Sequence, residues 1–243
     1  MLQRMQEDPE FLKSQLESRG KKVYLTGFGK FNGVEVNPTT ILIDKLKECS
    51  GSGDDDEITY EVLEVAVDKV NSYLCSLPQE DALCFIHLGV NATGDCIQLE
   101  RMAYNNMNFR CEDESGFQPK STPICEELSL DGSIMSDLPL EEFATDMCNE
   151  GFNCKTSDDP GRFLCNYVYF KSLQNKKYSV FIHVPHFSVI DADTQLLFVK
   201  RITKKIVAFS KLMGAALGEC DVGDGKPSIA SLRDPITRLV SHI

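Results

Sequence analysis

The chain has 243 residues, 42% of them hydrophobic, and a net charge of -12. That is enough apolar material for one sizeable core, while the acidic balance argues against nucleic acid or an anionic membrane surface as the main partner, because both attract basic patches. No apolar run approaches the ~20 residues of a membrane span, and the first residues lack the apolar centre of a signal peptide, so the expectation is a cytosolic protein with a small ligand.

Residues 1–20 are polar and read as an N-terminal extension with a short helix over 9–18. Val23-Tyr24-Leu25-Thr26 is a buried strand that runs into a loop containing Gly27, Gly29 and Gly33. Asn37-Pro38-Thr39-Thr40 then starts a helix with Ile41, Ile43, Leu46 and Cys49 along one stripe. The acidic run 51–57 reads as a solvated connection. Residues 58–65 follow as a strand and 67–77 as a helix, and 82–90 is a continuous apolar run of the kind found in parallel sheets. This β-α alternation places the chain in the α/β class.

The pattern changes over 91–110, where 97–104 alternates like a strand and Asn105-Asn106 is a turn. Residues 111–138 are rich in Asp, Glu, Ser, Gly and Pro and read as a long loop, a length usually tied to function or mobility. A helix over 139–149, a short strand over 152–157, a buried strand over 178–185 and a long helix over 191–213 complete the expected core. Residues 221–227 are linker-like, and 232–243 forms a small amphipathic helix or none. The division is a single α/β domain, 21–214, between the extension 1–20 and a tail 215–243.

Ser157-Asp158-Asp159-Pro160 has the signature of a helix start and puts Cys165 near an end whose N–H groups favour a thiolate. The same pattern fits a buried core thiol. His183 ends one strand and Glu100 follows the strand ending at Val90, and in open α/β sheets ligands sit beyond the carboxyl ends of strands. Cysteine, histidine and glutamate supply a nucleophile, a base and a group that orients the base. His87 and His186 compete for the base role, and pattern alone does not separate the three. Gly27, Gly29 and Gly33 imitate a dinucleotide fingerprint, although Phe28, Lys30 and Phe31 crowd that loop. The ten cysteines read as reduced thiols, and none forms a CxxC pair, so no metal site and no cofactor are expected.

Four segments resemble the type I pyroglutamyl peptidases, also called pyrrolidone-carboxylate peptidases. They are Thr26-Gly27-Phe28-Gly29-Lys30-Phe31-Asn32-Gly33 with Asn37-Pro38-Thr39, Leu99-Glu100-Arg101 with Ala103 and Asn105, Gly161-Arg162-Phe163-Leu164-Cys165-Asn166, and Phe181-Ile182-His183-Val184-Pro185. Phe109-Arg110-Cys111 and Gly116-Phe117-Gln118-Pro119 look most similar to plant-type members. The resemblance implies a three-layer α/β/α fold around a central, mostly parallel, twisted mixed sheet of the phosphorylase/hydrolase-like kind. It implies a cysteine exopeptidase acting on small peptides with an N-terminal pyroglutamate, with Cys165 as nucleophile, His183 as base and acid, and Glu100 orienting His183. Phe28 and Phe31 would flank the lactam ring, Asn37 would organise their loop, and Val90 and Leu164 would complete the substrate pocket. The chain departs from the family pattern at Lys30, Pro160 and Val90, and it lacks the second proline after Pro185. A catalytically silent binding protein of the same fold, or a dinucleotide-binding enzyme, are the alternatives.

Overall fold

The structure is a computed structural model that describes residues 2–17, 21–31, 33, 36–49, 58–175, 178–218 and 229–241. The connection expected over 51–57 and the linker expected over 221–227 lie outside the described residues.

Strands β1 (Lys22–Phe28), β2 (Ile58–Leu63), β3 (Ala82–Val90), β4 (Ile97–Glu100), β7 (Cys154–Ser157) and β8 (Ser179–Val184) form one sheet in the order β2-β1-β3-β8-β4-β7. β5 (Met102–Tyr104) and β6 (Ser133–Met135) pair separately as an antiparallel ribbon. In the main sheet β2, β1, β3 and β8 run parallel, β4 lies antiparallel to β8, and β7 runs parallel to β4. The unbroken apolar runs in β3 and β8 have the expected cause, since both strands are buried almost throughout.

Helices α3 (Pro38–Cys49), α5 (Leu140–Asn149) and α7 (Ala192–Gly218) cover one face, packing Leu42, Ile43, Phe143, Phe198, Ile202 and Phe209 into one apolar cluster with Ile86, Leu99 and Ile182 of the sheet. Helices α4 (Val67–Ser76) and α6 (Leu164–Asn175) cover the other, where Val70, Leu74, Val168 and Phe170 meet Tyr24, Phe85 and Phe181. Period-2 alternation along each strand divides its residues between these two clusters. The result is a three-layer α/β/α fold on a mostly parallel mixed sheet.

Three sequence expectations need adjustment. The alternating run 97–104 is not one strand: Arg101 separates β4 from β5 and ion-pairs with Asp158 and Glu141, so the chain leaves the main sheet there. The loop expected over 111–138 contains β6. The long helix extends to Gly218, five residues past Met213, because apolar positions Met213, Ala216 and Leu217 still find cover.

That cover comes from the termini. Helices α1 (Leu2–Glu7), α2 (Pro9–Leu16) and α8 (Ile229–Val240) add Met5, Leu232, Ile236 and Val240 to the cluster around α7. Asp8 caps α2, its carboxylate accepting from Phe11 N at 3.0 Å, with Pro9 at the first helical position. Lys211 Nζ donates to Leu16 O at 2.8 Å and ties α2 to α7.

Candidate active site

The helix that carries Cys165 begins at Leu164, a turn later than Pro160. Asp159-Pro160-Gly161 instead forms the approach to it: Asp159 Oδ1 accepts from Gly161 N at 3.1 Å and from Arg162 Nη1 at 2.6 Å, and Gly161 sits at φ +77°, where glycine is unstrained. Asp158 is gripped by both Arg101 Nε and Nη2, at 2.7 and 2.5 Å, which holds its carboxylate below the usual range. Cys165 is thereby the second residue of α6, inside the first turn, where backbone N–H groups lack intrahelical partners.

Two buried side chains fix this helix end to the sheet. Asn166 donates to Tyr104 O at 2.8 Å and to Asn106 O at 3.1 Å while accepting from Tyr104 N at 2.8 Å. Tyr169 donates to Glu100 O at 2.7 Å. Burial drives the Tyr169 hydroxyl far above its ordinary pKa, so it remains a donor.

Glu100 and His183 are diagonal neighbours on one face of the antiparallel β4–β8 pair, since Glu100 lies opposite Phe181 and Gln98 opposite His183. His183 Nδ1 lies 2.7 Å from Glu100 Oε1, and His183 also hydrogen-bonds the Cys165 thiol, leaving Nε2 as the nitrogen that faces it. Glu100 lies past β3, as the sequence suggests, as the last residue of β4; it is fully buried, and its Oε2 has no hydrogen-bond partner among the described residues. Burial works against a charged imidazole and is the largest single influence on His183. The hydrogen bonds and negative charge of Cys165 and Glu100 together outweigh it and hold His183 up at about 9.

The three histidines differ in their surroundings. His87 is fully buried, with Nδ1 2.7 Å from Thr26 Oγ1 and Nε2 2.8 Å from Ser172 Oγ, and burial pushes it down to about 3. Both ring nitrogens serve the core, so neither is available as a base for Cys165. His186 lies beyond the end of β8, where its carbonyl accepts from Val189 N in a turn.

Around Cys165, His183 and Glu100 the surface is aromatic. Phe28 is 3% exposed and packs against Phe181 at 6.5 Å, while the half-buried Phe31 pairs with Phe163 at 6.0 Å. Phe163 meets Phe109 at 4.6 Å, bringing the long loop 105–132 to the site. Asn105 organises that loop, donating to Cys125 O, Leu128 O and Ser129 O and accepting from Ile124 N and Cys125 N. Val90 is half-buried at the end of β3, and Leu164 is 1% exposed within the core under α6.

The glycine loop is not arranged for a phosphate. Asn37 Nδ2 donates to Gly29 O at 3.0 Å, Gly29 N donates to Leu63 O at 2.9 Å, and Thr39 Oγ1 accepts from Phe28 N at 2.9 Å. Asn37 Oδ1 also accepts from Thr39 N at 3.1 Å, so one side chain both organises the loop and caps α3.

A family model described as pyroglutamyl peptidase matches residues 21–207. The chain belongs to the pyroglutamyl peptidase family. A pyrrolidone-carboxylate peptidase from Fusobacterium nucleatum is 30% identical over 203 residues, 76% of this chain and 89% of the relative. One from Thermococcus litoralis is 33% identical over 177 residues, 68% of this chain and 77% of the relative. Among solved structures, a mutant pyrrolidone carboxyl peptidase from Pyrococcus furiosus is similar with a TM-score of 0.70 at 26% identity, covering 79% of this chain and all (100%) of the other. The family match leaves α1, α2, α8 and the end of α7 outside it. No helix among the described residues is long and apolar enough to cross a membrane.

Gly89 is a member of the site that sequence reasoning passed over. It lies opposite His183 in the β3–β8 register, and a Cβ there would stand 2.5 Å from Phe181 Cζ and 3.2 Å from Cys165 Sγ. Its signal in the sequence is slight: one small residue near the end of an apolar strand, where a close approach is the usual reason for glycine.

Proposed function

We propose that this protein removes an N-terminal pyroglutamyl residue from peptides, with Cys165 as nucleophile, His183 as general base and then acid, and Glu100 as the group that orients His183. The observation that carries this reading is the continuous connection from Cys165 through His183 to the fully buried Glu100 on a single face of the sheet. The family membership supports the same chemistry.

In this mechanism the Cys165 thiol passes its proton to His183 Nε2, and the sulfur attacks the pyroglutamyl carbonyl. The imidazolium, held by Glu100, then protonates the departing amine, leaving a thioester. Water, deprotonated by the now neutral His183, attacks the thioester; pyroglutamate leaves and the thiol is restored. Backbone N–H groups in the first turn of α6, beginning at Cys165 itself, are placed to receive the oxyanion. Phe31 and Phe163 offer an apolar wall for an uncharged lactam ring, and Phe28 supports it from the core side.

The test is hydrolysis of a fluorogenic pyroglutamyl amide by the reduced protein, alongside the corresponding prolyl and glutamyl amides. Release of fluorophore from the pyroglutamyl compound alone is expected. A protein inert toward it, or one that prefers either control, would overturn the assignment.

The pH dependence follows from His183. Its ordinary value of 6.5 is raised to about 9 in the folded chain, so the stability it contributes is complete below 6.5 and lost as pH rises through about 9. The imidazolium is also the proton donor to the leaving amine. Both kcat/KM and thermal midpoint are therefore expected to fall together on the alkaline side, near pH 9; a kcat/KM profile that breaks near 6.5 instead would contradict the coupling of His183 to Cys165 and Glu100.

Gly89→Ala tests how tightly the site is built. Phe181 is fully buried and lies tilted against His183 at 4.7 Å, so it has little room to yield to a new methyl. Overpacking of this kind costs about 1–3 kcal/mol, and a displaced sulfur costs on the order of 10²-fold in rate per ångström. A lowered thermal midpoint and a lower kcat are expected, measured by unfolding and amide hydrolysis; wild-type values for both would show that the sheet relaxes freely there.

A further inference from the structure

On the opposite face of the sheet from Cys165, two thiols face one another. Cys148 lies in the last turn of α5 and Cys154 is the first residue of β7. Their sulfurs are 3.6 Å apart, and Cys148 Sγ is also 3.1 Å from Cys154 O.

The chain reversal between them is fixed by its own hydrogen bonds. Gly151 N donates to Cys148 O at 3.0 Å and Phe152 N to Met147 O at 3.1 Å, with Gly151 at φ +94°. This is the Schellman ending of a helix, and it returns the strand alongside the last turn. Phe152 then anchors the turn by packing edge-on against Phe198 at 5.4 Å.

The two thiols differ in access. Cys148 is exposed, whereas Cys154 is buried beside Ala144 and Met147, and burial, with the neighbouring thiol second, pushes its pKa up to about 12. A soluble oxidant therefore reaches Cys148 first, and Cys154 is held where it can act only on its neighbour. The sulfurs need to approach by about 1.6 Å to reach bonding distance, a movement within the reach of two χ1 rotations at the end of a helix.

We propose that Cys148 and Cys154 form a reversible redox-modification site that takes small disulfides such as oxidised glutathione and closes into an internal disulfide. The Cys148 thiolate attacks one sulfur of the glutathione disulfide, breaking its S–S bond and releasing one glutathione thiolate. Cys154, giving its proton to solvent, then attacks Cys148 Sγ and expels the second glutathione. Two protein thiols are oxidised by two electrons and one glutathione disulfide is reduced to two thiols. Cys154 pairs with Ile97 in the β4–β7 register, so the bond fastens α5 to the edge strand beside the one that carries Glu100.

The experiment uses the full chain, incubated in oxidised glutathione, quenched by alkylation and cleaved after Glu150, which separates Cys148 from Cys154 in sequence. The expected result is one linked species, lighter than the two free peptides by two hydrogens and split again by dithiothreitol. Two separately alkylated peptides, or Cys148 retaining glutathione while Cys154 remains alkylatable, would overturn the proposal. Cys148→Ser, a change at an exposed position away from Cys165, is expected to leave amide hydrolysis unchanged and to abolish the linkage. A linkage to Cys154 that survives this change would assign the bond to another thiol.

Discussion

Cys165→Ser is expected to lower kcat/KM on a pyroglutamyl amide by at least about 10⁴-fold, in line with the loss of a nucleophile that acts as one unit with its base. The serine hydroxyl would occupy the same place in the first turn of α6 and face the same His183 nitrogen. What changes is the proton. A thiol gives its proton to an imidazole readily enough to act as the nucleophile, whereas an alcohol holds its proton far too tightly for imidazole to remove it in the ground state. Cys165 is half-buried and the substitution nearly isosteric, so the unfolding midpoint should hardly move. Activity close to wild type in this variant would place the nucleophile elsewhere.

Glu100→Gln is expected to cost about 10³-fold or more in kcat, as when a triad carboxylate becomes an amide. The glutamine amide would turn its NH₂ toward His183 Nδ1, forcing that nitrogen to accept and leaving the proton on Nε2, where a base is needed. Loss of the carboxylate charge also removes one of the two supports that raise His183, so the alkaline limb of kcat/KM should move to lower pH. A purely structural role for Glu100 would lower activity without moving that limb. Stability should fall, because Glu100 and His183 form a buried pair and the amide leaves His183 without the carboxylate that holds its charge. An unchanged midpoint would show that the His183–Glu100 pairing sets the tautomer without holding the fold together.

Much of the candidate site is legible in the sequence, for physical reasons that differ from residue to residue. The unbroken apolar runs of β3 and β8 announce strands buried on both faces, and a histidine closing such a run stands out. Cys165 near a helix start was visible from Ser157-Asp158-Asp159-Pro160, although Pro160 itself ends up in the approach and the helix waits until Leu164. The partnership of Glu100 with His183 was not visible in pattern. It depends on β4 entering the sheet antiparallel beside β8, a long-range pairing that local periodicity does not encode. The break at Arg101 was hidden for a similar reason: alternation continues across it, and only the ion pairs with Asp158 and Glu141, distant in sequence, turn the chain out. His87 looked as good a base as His183 because the sequence carries no sign of Thr26 and Ser172 on either side of its ring.

The terminal helices bear on how the molecule can be cut. The span shared with the family, residues 21–207, holds Cys165, His183 and Glu100 together with every strand of the main sheet. A recombinant fragment trimmed to that span would nonetheless lose Leu212, Met213 and Ala216 from the end of α7, along with Met5, Leu232, Ile236 and Val240 from the helices packed around it. Its newly bared flank would be greasy and prone to clump. The portion of the chain that holds the candidate catalytic residues is thus smaller than the portion that shares the apolar core, and similarity marks out the first of these but not the second.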